Sequence, residues 1–168
     1  MIQIIPVNTK SKIVNVQKLA FEILHEVYDS IIPSVHTDYF LKEFQSEKAI
    51  ANQIKNENYS YYLLTFNSGN VGYFGIQNIC NEKLVLSKLY ISKSFRGQKI
   101  GKAALDFIFQ YATENRIQLI ELIVNQENEN TIYIYKKYGF QIKESIINSF
   151  PNGHSVKDYK MEKVLNPI

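Results

Sequence analysis

Three strand signals in unbroken succession, from Tyr59 to Ile91, constrain this chain more than any other feature. Tyr59 to Phe66 and Val71 to Ile79 are rich in aromatic and branched side chains, and Asn67-Ser68-Gly69-Asn70 between them has the composition of a hairpin turn. A second polar turn, Asn81-Glu82-Lys83, leads into a third run, Leu84 to Ile91. Strands joined by turns this short run antiparallel, so a meander is expected.

On either side of the meander the apolar period is helical. Ile2 to Val7 reads as a first strand, after which Ile13, Val16, Ala20, Ile23, Leu24 and Val27 fall at helical spacing. Pro33 separates this helix from a second, expected over Thr37 to Asn56. After the meander, Ile100, Ala104, Phe107, Ile108 and Tyr111 mark a helix from Lys99 to Asn115. Ile117 to Val124, apolar except for Gln118 and Glu121, reads as a strand covered on both faces. A last helix, Asn128 to Tyr138, ends at Gly139, a suitable left-handed stop. Strands around Phe140 to Phe150 and Ser155 to Val164 follow, joined across Pro151-Asn152-Gly153. The order β-α-α-β-β-β-α-β-α-β-β implies an α+β fold: a mixed, mostly antiparallel sheet of about seven strands flanked by four helices.

Composition narrows the function. The 168 residues hold no repeat or Pro/Gly/Ser-rich linker, so a single domain over 1–168 is expected. Nineteen basic against 16 acidic residues give a net charge of +3, too small for a dedicated nucleic-acid binder. One cysteine, Cys80, excludes an internal disulfide and any multi-cysteine metal site, and it is assigned to packing. No window approaches 18 apolar residues, and Met1-Ile2-Gln3-Ile4-Ile5-Pro6 lacks the basic and apolar regions of a signal peptide. A cytoplasmic protein is therefore expected, without metal, nucleic acid or membrane among its partners. A homodimer is the one assembly considered.

Residues 84–102 carry the chemistry. A strand runs into a short polar loop and then directly into an amphipathic helix. Gly97 and Gly101 remove side chains where the backbone turns. The first N–H groups of a helix have no partner within it and attract anions. Lys88, Lys93, Arg96, Lys99 and Lys102 add five positive charges with no acid among residues 87–102. The combination has the make-up of a pyrophosphate cradle.

Arg96-Gly97-Gln98-Lys99-Ile100-Gly101-Lys102 after a strand resembles the Arg/Gln-x-x-Gly-x-Gly/Ala signature of the GNAT family of N-acetyltransferases. Further along, Asn128, Tyr135 and Gly139-Phe140 resemble that family's second signature, Asn-x-x-Ala-x-x-x-Tyr-x-x-x-Gly-Phe. Lys99 stands where the family's middle glycine is usual, and Thr131 replaces the alanine. At a helix start φ is expected to be negative, which a lysine accepts.

The resemblance implies a GNAT fold and acetyl-CoA as co-substrate, its acetyl group passing directly to a primary amine. Main-chain groups of Leu89, Tyr90 and Ile91 would hold the pantetheine arm and polarise the thioester carbonyl. The N–H groups of Arg96, Gly97, Gln98, Lys99, Ile100, Gly101 and Lys102 would hold the pyrophosphate, and the Asn128 side chain would touch the cofactor. Tyr135 matches the tyrosine that protonates the leaving thiolate. Ser87 stands where relatives often carry a basic glutamate, leaving His36, Asp38, His154 or water relayed through Tyr90 as candidate bases.

The acceptor is read from charge. Residues 22–57 hold seven acids against three lysines, so Glu26, Asp29 and Asp38 are expected to receive a small cationic amine. The pattern around Tyr90 and the hairpin from Phe150 to Met161 resembles bacterial spermidine and polyamine acetyltransferases. A protein N-terminal acetyltransferase and a silent, CoA-binding regulatory module of the same fold are the alternatives.

Overall fold

The computed structural model describes residues 1–151 and 153–165. Asn152 of the expected turn therefore lies outside the described residues. The strands are β1 (Ile2–Pro6), β2 (Tyr59–Phe66), β3 (Gly69–Cys80), β4 (Lys83–Ile91), β5 (Leu119–Asn125), β6 (Gln141–Ser149) and β7 (Ser155–Val164). The helices are α1 (Lys10–Tyr28), α2 (Ser34–Phe44), α3 (Glu47–Asn56), α4 (Ile100–Glu114) and α5 (Glu129–Lys137), with a 3-10 turn at Lys93–Phe95. The strands follow the hydrogen-bonded order β1-β2-β3-β4-β5-β7-β6, antiparallel in the meander and parallel between β4 and β5. The chain divides into two compact units: residues 1–77 with 88–109, and 78–87 with the described residues from 110 onward.

In the first unit, Thr9 caps α1 by accepting the Lys12 N–H at 3.4 Å, and Val16, Leu19, Ala20, Ile23 and Leu24 turn one apolar stripe inward. That stripe packs with Leu41, Ile50, Tyr61, Leu63 and Tyr73, each fully buried aliphatic side chain contributing about 1.5–3 kcal/mol. The hairpin of β2 and β3 closes on a two-residue loop, with Asn67 (φ 49°) and Ser68 (φ 70°) both left-handed.

One expected helix proves to be two. Thr37 to Asn56 breaks at Gln45, where φ is −128° and the side chain is buried. Gln45 accepts the Tyr73 hydroxyl at 2.7 Å and donates to the Tyr61 hydroxyl at 3.2 Å, while Ser46 starts α3 by accepting the Ala49 N–H at 3.3 Å. Among the described residues five helices thus exceed the four expected, because a buried polar network and a cap outweigh the continuing helical period.

In the second unit, β4 and β5 pair over Lys83–Leu86 and Leu119–Leu122, and β7 lies between β5 and β6. β5 is covered on one face only, against expectation: Ile120, Leu122 and Val124 are buried, whereas Ile123 is 53% exposed. On the open face Lys83 and Lys160 reach the Glu121 carboxylate at 2.7 and 3.6 Å.

Candidate active site

The residues expected to bind the acyl donor from 89 to 102 fall in the first unit. A Cβ on Gly72 would lie 2.4 Å from the Tyr90 carbonyl oxygen and 3.1 Å from the Ile91 Cα, so only glycine lets β3 and β4 approach there. The Ser92 N–H then bonds the Val71 carbonyl at 2.9 Å. This close approach sets β3 against the main chain of Tyr90 and Ile91, directly after Leu89. Gly72 had no part in the sequence reading, although glycines at 69, 72 and 75 within one strand are a readable sign of such contacts.

The loop beyond is built from backbone turns. The Phe95 and Arg96 N–H groups return to the Ser92 and Lys93 carbonyls at 2.9 and 3.2 Å, and the Arg96 Nε donates to the Ile91 carbonyl at 3.1 Å. Gly97 has φ +78° with no atom within 4 Å of a Cβ built there. Lys99 has φ 63°, overturning the expected negative value: it lies just ahead of α4 and carries the left-handed turn into the helix, whose first bond runs from the Ala103 N–H to its carbonyl. That conformation is one that glycine adopts without strain, which agrees with the glycine usual in the resembling signature. Ile100 is buried and anchors the helix start; Gly101 would place a Cβ 3.4 Å from the Ile91 side chain, ordinary contact. Gln98 and Lys102 are exposed, the latter bonded to Asp106 at 2.6 Å. Open space at Gly97, turned backbone and the exposed cations Lys93, Arg96, Lys99 and Lys102 fit a diphosphate.

Lys88 does not belong to that set. It is 6% exposed, with its ammonium 4.6 Å from the Tyr59 ring centroid and 5.5 Å from that of Tyr61. Burial pushes its pKa down to about 8, opposed by the Glu57 carboxylate.

The three acids expected to receive the acceptor are all engaged. Glu26 Oε2 accepts the Lys93 N–H at 3.0 Å. Asp29 and Asp38 lie 2.9 and 3.1 Å from the two ring nitrogens of His25, and the Thr37 hydroxyl donates to Asp29 at 3.2 Å. His25 was not singled out from sequence; its i, i+4 spacing to Asp29 was the available sign. Among the candidate bases, His36 is buried at the start of α2, Asp38 faces His25, and Tyr90 tilts on Tyr73 with centroids 5.6 Å apart. His154 is half-buried, its carbonyl accepting the Phe150 N–H at 2.7 Å, and Ser87 is half-buried on β4. Cys80 is exposed, so it does not fill the packing role expected of it. Among the described residues no group of three or more His, Cys, Asp or Glu is arranged to hold a metal, and no helix is long and apolar enough to cross a membrane.

Asn128 and Tyr135 belong to the second unit, on α5. Asn128 starts the helix through its carbonyl, which accepts the Ile132 N–H at 3.0 Å, while its side chain makes no capping bond. Tyr135 is 8% exposed. At the helix end the Gly139 N–H bonds the Lys136 carbonyl and the Phe140 N–H bonds the Tyr135 carbonyl, both at 3.0 Å, with Gly139 at φ +91°.

A family model described as "Acetyltransferase (GNAT) domain" matches residues 22–163. An uncharacterized N-acetyltransferase of Methanocaldococcus jannaschii is 25% identical over 138 residues, 79% of this chain; the match spans only 61% of that relative's length. Among solved structures, the PaiA N-acetyltransferase of Thermoplasma acidophilum in complex with coenzyme A superposes with a TM-score of 0.81 at 20% identity, over 98% of this chain and 99% of that one. The ribosomal-protein-S18-alanine N-acetyltransferase of Escherichia coli superposes with a TM-score of 0.76 at 17% identity, over 100% and 96%. With the model covering most of the sequence and both signatures inside it, the chain belongs to the GNAT acetyltransferase family.

Proposed function

We propose that residues 1–168 form a single N-acetyltransferase domain that moves an acetyl group from acetyl-CoA directly to a primary amine, in the cytoplasm and without a metal. The observation that carries this reading is the architecture of residues 90–102: a main chain at Tyr90 and Ile91 closely approached by Gly72, then a loop turned at Gly97 and Lys99 amid exposed cations. Residues 96–102 would hold the pyrophosphate, the main chain of 89–91 the pantetheine amides, and Asn128 the cofactor near its reacting end. The Tyr135 hydroxyl would give its proton to the departing thiolate. The amine must lose a proton to attack, so the rate rises with pH as the amine or its base deprotonates. His36, Asp38, His154 and water relayed past Tyr90 are the candidates for that base.

For the acceptor, the acidic excess of residues 22–57 favours a cationic amine of polyamine type. A peptide N-terminus is the second reading, favoured by the internal bonds that already occupy Glu26, Asp29 and Asp38. Calorimetry with acetyl-CoA tests the donor. Free-thiol release with spermidine, a neutral-tailed primary amine and a peptide N-terminus, each at low and high salt, tests the acceptor. A cationic acceptor should show the highest kcat/KM, with a KM that rises with ionic strength. Preference for the peptide, or no salt effect, overturns the polyamine reading. A chain that binds CoA and releases no thiol with any amine is a regulatory module.

A further inference from the structure

We propose that Glu26 is a positioning residue for the acyl donor: its carboxylate holds the loop that leads into the diphosphate site, instead of receiving the acceptor amine. The inference rests on the reading of residues 96–102 as the donor loop.

Glu26 lies near the end of α1, 67 positions from Lys93, and its Oε2 accepts the Lys93 main-chain N–H at 3.0 Å. Lys93 opens the 3-10 turn, so its N–H has no partner within that turn. The segment is tied elsewhere by the Ser92 bond to Val71, by the Phe95 ring set edge-on against Phe66 with centroids 6.3 Å apart, and by the Arg96 bond to Ile91. Those ties reach β2, β3 and the segment's own strand. The Glu26 bond adds α1 as a further support on which the turn rests.

That support bears directly on the loop. The backbone beyond Arg96 passes through open space at Gly97 and a left-handed Lys99 before Ile100 is buried again, so side-chain packing does little to hold it. Donors aimed at a diphosphate act only if they are already in place, because ordering them on binding weakens affinity. Fixing Lys93 fixes the start of the span that must present those N–H groups. The bond needs an acceptor oxygen on residue 26 and not a negative charge, which separates this role from recognition of an ammonium group.

The test compares Glu26→Ala with Glu26→Gln. Wild-type protein is first titrated with acetyl-CoA by calorimetry; failure to bind would remove the donor-loop reading, and this inference with it. Given binding, Glu26→Ala should speed hydrogen exchange at the Lys93 amide in the free protein and raise KM for acetyl-CoA by about three- to tenfold, with kcat within about twofold of wild type. Glu26→Gln, whose amide oxygen can accept the same bond, should restore both quantities. If both variants instead raise KM for the amine and leave Lys93 exchange and the acetyl-CoA KM unmoved, Glu26 is an acceptor residue and the proposal fails.

Discussion

Phe140 bonds its main-chain N–H to the Tyr135 carbonyl at 3.0 Å and sets its ring edge-on against the Tyr135 ring, with centroids 5.5 Å apart. The two contacts form one device. The left-handed Gly139 reverses the chain, and the reversal brings Phe140 back onto the last turn of α5. A Gly-Phe pair four residues after a tyrosine therefore has a mechanical meaning: it fixes where that tyrosine's ring lies.

Tyr135→Phe keeps the ring and its packing while removing only the hydroxyl. Its kcat should fall by roughly 10²–10⁴-fold, as expected for a lost general acid, with CoA affinity and melting temperature near those of wild type. Unchanged turnover in a steady-state assay would leave Tyr135 a packing residue.

Gly72→Ala should be far more damaging than its size suggests. The new methyl would meet the backbone oxygen of Tyr90 at 2.4 Å, and a main-chain strand cannot yield as a side chain can. A loss of about 1–3 kcal/mol is expected, together with weakened acetyl-CoA binding in the folded fraction. Gly75→Ala is the comparison, since its methyl meets a side-chain ring, Tyr61, at 3.3 Å instead of a main-chain oxygen at 2.4 Å, and a smaller loss is expected. Denaturant titration of the two variants side by side decides the matter.

Lys88→Met should stabilise the protein near neutral pH. The Lys88 pKa is lowered from 10.5 to about 8, so the unfolded chain binds more protons than the folded one between those values. Stability from this group therefore rises with pH across that window, while below pH 8 its cost is constant, on the order of 3 kcal/mol before the aromatic contacts offset part of it. The gain from Lys88→Met should be largest at pH 7 and shrink by pH 9.5. Chemical denaturation at the two pH values measures it. The window is kept below pH 10 because burial raises the pKa of Tyr61 and Tyr73, and their ionisation in the unfolded chain opposes the trend above that.

Lys99→Gly separates backbone strain from charge. A lysine at φ 63° costs about 1 kcal/mol in conformation, and glycine gives back a similar amount through its freer unfolded state, so stability should change little. CoA affinity should fall about threefold and lose part of its salt dependence, because one exposed cation has left the loop. Calorimetry at two ionic strengths reads both effects.

The fold was legible because its signals are local. The strand and helix periods, the Asn67-Ser68 turn and the Gly139 stop each depend on a few neighbouring residues, and each formed as read. What escaped depended on partners distant in sequence. Gln45 breaks a helix through tyrosines 16 and 28 residues away, and Lys88 leaves the loop cations because Tyr59 and Tyr61 bury it. Glu26 was legible as an acid and not as a partner of Lys93, since nothing in the α1 sequence announces a bond across 67 positions. Lys99 is the intermediate case: a turn into the helix was expected there with a negative φ, and the chain makes it with Lys99 at φ 63°.

The placement of β7 between β5 and β6 has a consequence for biosynthesis. β6 leaves the ribosome first with no neighbour to pair with, since among the described residues its ladder is made with residues 155–162. The β5 edge that β7 covers waits in the same way, from residue 119 until Val164 has been added. During that interval β6 and the β5 edge that β7 will cover are open strand edges, the condition in which nascent chains pair with one another. Emergence of β7, and not of the strands it joins, sets the moment at which β5 and β6 can be bridged into one sheet.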